Sequence, residues 1–109
     1  MIYEYLERFG AIGKKNLIHT KRLMNDLHAG KREIIAAVAD ERKAGRLICS
    51  TRSGGGGYFL PANDAEIIEQ KKSLEITFAS RADAVRVFRK ACKEIEERKA
   101  AGHGKEKGI

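Results

Sequence analysis

Apolar residues recur along this chain at two spacings, and the change from one to the other divides it into elements. Ile2, Tyr5, Leu6 and Phe9 fall on one side of a helical wheel, so residues 1–9 are predicted to form a first helix, closed by Gly10. The next segment, AIGKKNLIHT, has a glycine and two lysines ahead of Leu17 and Ile18 and reads as a loop with a short extended piece. Thr20 stands where it can cap a helix of about two turns, with Leu23, Met24 and Leu27 on its apolar side. His28-Ala29-Gly30 is a tight connection, and a stronger helical pattern then runs from Lys31 to Ala44, stopped by Gly45. At about 100° per residue, this third helix puts Ile34, Ala37, Val38 and Glu41 on the core side and Arg32, Ala36, Ala39 and Lys43 on the outward side.

The residue types change after Gly45. Leu47-Ile48-Cys49-Ser50-Thr51-Arg52 and Tyr58-Phe59-Leu60-Pro61 are rich in strand formers and flank Ser53 and four glycines, which predicts a β-hairpin with a glycine tip. Pro61 stops the second strand, and Asn63 with Glu66 three residues later is a capping pair for a new helix. Helical pattern continues to about Lys99, as one long helix or two, because Ser80 and Asp83 repeat the capping spacing. AGHGKEKGI reads as a frayed polar tail. The expected fold class is mainly α with a small β-hairpin: a domain over residues 1–62, a C-terminal helical arm over 63–99 and a flexible tail over 100–109, with no internal repeat.

At 109 residues the chain has room for one core plus an appendage. Its formal charge of +7 favours an acidic partner, nucleic acid or an anionic membrane surface. The excess is N-terminal: eleven Lys and Arg stand against six Asp and Glu up to Ala62, and eleven against nine from Asn63 onward. No run of about 20 apolar residues is present to span a membrane. The acidic residues in MIYEYLERFG do not suit a signal peptide, so the mature chain is expected to begin near Met1. Cys49 and Cys92 belong to no CxxC or Cys/His cluster and read as reduced core or interface thiols, which implies a cytoplasmic protein.

The glycines at 54–57 are not a phosphate loop, because no GK[ST] follows and a strand comes next. They suit a mobile tip that orders on binding. His19, His28 and His103 have no partner at metal-ligand spacing. No Ser/His/Asp, Cys/His or paired-carboxylate arrangement comes with a pocket-forming scaffold, so neither an enzyme nor a cofactor or metal is expected.

The order helix, helix, tight turn, helix, glycine-tipped hairpin over residues 1–62 resembles the winged helix-turn-helix family. The segment GKREIIAAVADERKAGRLICSTRSGGGGYFLP is similar to small prophage-type winged-helix proteins of bacteria. The resemblance implies double-stranded DNA binding, as a transcriptional regulator or an accessory factor for phage or plasmid DNA transactions. It places the third helix in the major groove and the wing on the flanking backbone or minor groove. On the matching positions, Lys31 and Arg32 open the recognition helix, and the stripe Arg32, Ala36, Ala39 and Lys43 faces the groove, with the alanines allowing close approach. Arg52 precedes the wing tip, and Lys14, Lys15, Lys21 and Arg22 can clamp phosphates from the first loop and second helix. The stripe holds few hydrogen-bonding side chains, which argues against strong base readout. The alternative is a protein-protein interaction module of the same fold that binds no nucleic acid. RNA is disfavoured by the lack of an aromatic stacking platform.

The arm supports two readings. Heptads starting at Ile67 place Ile67, Leu74, Arg81, Phe88 and Ile95 at a, and Lys71, Phe78, Val85, Cys92 and Lys99 at d. Seven of these ten are apolar, densest from Leu74 to Ile95, so Leu74, Phe78, Val85, Phe88, Cys92 and Ile95 are expected to form a homodimer seam. A continuous helix would extend roughly 50 Å, beyond a domain of this size. The other reading folds the arm back over the domain, which needs an apolar face just as much.

Overall fold

Gly10 at φ 67° and Gly45 at φ 104° lie just past the first and third helices of the computed structural model, which describes residues 1–52, 56–76 and 82–107. α1 (Ile2–Arg8), α2 (Thr20–Leu27) and α3 (Lys31–Lys43) follow the predicted helical segments closely. Thr20 is the first residue of α2 rather than its cap. His19 occupies the cap position and no side chain bonds there. His28, at φ 51°, turns the chain from α2 into α3.

The loop after α1 holds a 3-10 turn at Lys14–Asn16 and a two-residue strand, β1 (Ile18–His19). β2 (Cys49–Thr51) and β3 (Gly57–Phe59) form the expected hairpin, and β1 adds to it to give an antiparallel sheet in the order β1-β3-β2. The register pairs Ile18 with Tyr58, and Cys49, Ser50 and Thr51 with Phe59, Tyr58 and Gly57. A Cβ at Gly57 would lie 2.6 Å from Leu17 Cδ1 and 3.0 Å from the Ile18 carbonyl, so only glycine lets β1 approach β3 this closely.

Alternation along the strands sends apolar side chains to both faces of this sheet. Ile18, Ile48 and Leu60 pack with Ile2, Tyr5, Leu6, Ala11, Leu23, Ile34 and Val38 in a first core under α1, α2 and α3. Leu17, Cys49 and Phe59 join a second core on the opposite side with Ile67, Leu74, Val85 and Phe88. That second face would be wet without a cover, and α4 (Asp64–Ile76) and α5 (Ala82–Lys107) supply it. Arg98 reaches Asp64 at 3.3 Å and Arg89 reaches Glu75 at 3.0 Å, so the two helices run antiparallel.

The arm is therefore two helices that fold back on the chain. Of the side chains expected at a dimer seam, Leu74, Val85, Phe88, Cys92 and Ile95 are all buried within one chain, Phe88 completely. They cover the sheet and each other rather than form a free seam. Phe78 lies outside the described residues, as do Ser80 of the second capping pair and residues 53–55 of the hairpin tip. α5 continues through the stretch expected as a frayed tail, to Lys107. No described helix is long and apolar enough to cross a membrane.

Candidate nucleic-acid interface

Most of the outward side of α3 is left open because Glu33, Glu41 and Arg42 are engaged elsewhere. The Gly30 amide donates to Glu33 Oε1 at 3.3 Å, turning the acid of the first turn back onto the helix start. Glu41, assigned to the core side by its spacing, accepts from the Ile2 and Tyr3 amides at 2.8 Å each and from the N-terminal ammonium at 3.4 Å. It caps α1 and fixes it to α3. Arg42 is buried. Lys31, Arg32, Ala36, Ala39 and Lys43 remain exposed, with Ile35 and Asp40 exposed on either side of the stripe.

The other cations expected at the interface are exposed too, but they differ in what holds them. Lys14 pairs with Glu69 at 3.7 Å, and its amide donates to Glu66. Arg22 pairs with Asp26 at 3.6 Å and lies over the Phe9 ring at 5.2 Å. Among the described residues Lys15, Lys21, Lys31, Arg32, Lys43 and Arg52 make no ion pair. None of these six has an acid within ion-pair distance among the described residues, which leaves their charge open to solvent. Arg52 directly follows β2, at the base of the hairpin tip.

Glu66 does not close a capping box on α4. Its amide donates to Asn63 Oδ1 at 3.0 Å, as the capping pair predicted, while its carboxylate takes the Ala62 and Lys14 amides at 2.8 and 3.0 Å. The 3-10 turn that carries Lys14 and Lys15 is thereby tied to the start of α4.

Two buried polar residues escaped the sequence reading. Arg42 Nε and Nη2 donate to the Ile48 carbonyl at 2.8 and 2.6 Å, and Nη2 reaches Ser50 Oγ at 3.2 Å. Gln70 Oε1 accepts from the Ser50 amide at 3.0 Å. The signal was present in the spacing: Arg42 continues the buried series Ile34, Val38, and Gln70 stands between Ile67 and Leu74 on the covered side of α4.

Neither cysteine offers a reactive thiol. Burial, against an attraction from Arg42, pushes the Cys49 thiol up to about 12, and burial also raises that of Cys92. The Tyr5 phenol is raised by burial and then by its hydrogen bond to Asp26. An open groove of about 290 Å³ between α1 and the residues following α3 and β3 is lined by Tyr3, Glu7, Ile12, Arg46, Leu47 and Pro61, with the Arg46 guanidinium over the Tyr3 ring at 4.4 Å. No cluster of three metal-binding side chains occurs among the described residues. Comparison of the chain with protein-family models, with curated proteins and with solved structures finds no match.

Proposed function

We propose that the chain binds double-stranded DNA as a winged helix-turn-helix domain, in a transcriptional regulator or an accessory factor for phage or plasmid DNA transactions. The observation that carries this reading is the open stripe of α3, where Arg32, Ala36, Ala39 and Lys43 are exposed and the two cations make no ion pair among the described residues. The pairing of β1 with β3 and the position of the hairpin after α3 support it as well. Lys31 and Arg32 meet phosphates or base edges at the helix start, the alanines let the backbone approach the groove, and Lys43 reaches the phosphates at the far end. Arg52 contacts the flanking backbone from the wing, with Lys15 and Lys21 as further phosphate contacts. Lys14 and Arg22, already paired with acids, contribute less. The reading needs one copy of the chain, since α4 and α5 are occupied in covering the sheet.

Fluorescence anisotropy with a mixed-sequence duplex tests it. Wild type is expected to bind at about 50 mM salt with an affinity that falls steeply as salt rises. Lys31→Ala with Arg32→Ala should weaken binding at least tenfold and reduce the slope of log K against log salt by about 2, near 0.9 per lost phosphate contact. Equal affinity of variant and wild type would remove α3 from the interface. No duplex binding at all would leave the protein-interaction module as the better reading.

A further inference from the structure

The order β1-β3-β2 leaves one side of β2 without a strand neighbour, and an open edge of this kind ordinarily leaves backbone groups for water or another chain. In this chain side chains from two other elements take two of them. The Ile48 carbonyl receives Arg42 Nε at 2.8 Å and Nη2 at 2.6 Å, and the Ser50 amide donates to Gln70 Oε1 at 3.0 Å. Those two groups, two residues apart, point to the same side of the strand, away from β3. Arg42 comes from α3 and Gln70 from α4, both nearly fully buried at 3% and 5% exposure. Arg42 also lies 5.8 Å from the centre of the Phe88 ring on α5. One bond alone lets a strand pivot, whereas two anchors on one edge fix its height and its roll against α3. Arg52 stands two residues beyond Ser50, exposed and free of ion pairs among the described residues.

We propose that Arg42 and Gln70 are positioning residues that hold the hairpin at a set angle to α3, so that the α4–α5 pair determines where Arg52 meets DNA. The role of Arg52 rests on the DNA-binding reading above, while the clamp on the strand does not. Deleting the Gln70 acceptor leaves a half-buried amide without its partner, a loss that shows locally because α1, α2 and α3 keep their own core.

Gln70→Leu keeps the bulk and removes the acceptor, and Gln70→Glu keeps the acceptor. Without DNA, native-state hydrogen exchange of the Ser50 amide is expected about tenfold faster in Gln70→Leu and close to wild type in Gln70→Glu, with the Ile34 and Val38 amides unchanged. With a mixed-sequence duplex, Arg52→Ala should weaken wild type but cost less than twofold in the Gln70→Leu background, while Arg32→Ala should cost the same in both. Unchanged Ser50 exchange in Gln70→Leu would overturn the proposal. So would equal acceleration at Ile34 and Val38, or an Arg52→Ala effect of equal size in both backgrounds. Duplex binding absent from every protein, with exchange as expected, would overturn the role of Arg52 and the DNA-binding reading while upholding the clamp on the strand.

Discussion

Replacing Phe88 by alanine tests whether α4 and α5 belong to the domain's own core. The ring is fully buried on α5 in a cluster with Cys49, Phe59, Leu74 and Val85, and Arg42 lies over it. Truncating a buried phenylalanine costs about 3–5 kcal/mol, from lost transfer energy and from the cavity left behind. Loss of the guanidinium contact adds about 0.5–1 kcal/mol. In a chain of 109 residues each kcal/mol moves the melting midpoint by about 4 °C or more, so a fall of at least roughly 12 °C is expected. Circular dichroism melts and urea titrations, each at two protein concentrations tenfold apart, measure it. The loss should be the same at both concentrations, because the broken contacts lie within one chain. A loss below about 1 kcal/mol, or a midpoint that moves with concentration, would refute the intramolecular assignment and return Phe88 to a seam between chains.

Glu41→Ala should destabilise the fold by about 1–2 kcal/mol in urea titration, since it strips the Ile2 and Tyr3 amides of their acceptor, and Glu41→Gln should recover part of that loss. A neutral Glu41→Ala would show that α1 needs no cap. The Cys49 thiol, at about 12 when folded against 9.0 for a free thiol, ionises first in the unfolded chain. Its contribution to stability is complete below pH 9 and is lost between 9 and 12. Cys49→Ala should therefore show a shallower alkaline loss than wild type, and a thiol reagent at pH 8 should label Cys49 only on unfolding; rapid labelling of folded protein would contradict its burial. Asp40→Asn, which removes the acid beside the α3 stripe, should raise duplex affinity about two- to fivefold at low salt, and an unchanged affinity would place the phosphates away from that side.

The three short helices and the hairpin were legible because each combines a periodic apolar pattern with a local stop, Gly10, the Gly30 connection, Gly45 and Pro61. β1 was legible only as a short extended piece of the loop, since a two-residue strand has no period and its bounds come from its pairing with β3. The arm was ambiguous for a physical reason: an apolar stripe serves a coiled-coil seam and an intramolecular cover equally well. What could have decided it lay elsewhere, in the adjacent apolar pairs Leu17 and Ile18, Ile48 and Cys49, Phe59 and Leu60. Neighbouring residues point to opposite faces of a sheet, so these pairs require a sheet covered on both sides, and only residues 63–99 were left to cover the second. Within the candidate interface, the spacing correctly placed Arg32, Ala36, Ala39 and Lys43 outside. The Arg22–Asp26 pair was open to reading from its i,i+4 spacing, but the pairing of Lys14 was not, because Glu69 meets it across more than fifty residues of chain.

Backbone amide shifts of the isotope-labelled protein, recorded by NMR while a mixed-sequence duplex is added at about 50 mM salt, test the DNA-binding reading most directly. The account predicts shifts concentrated in α3, at Arg52 and around Lys15 and Lys21, fading as salt is raised, with residues 85–98 of α5 unmoved. Shifts confined to α4 and α5, or none anywhere, would contradict it.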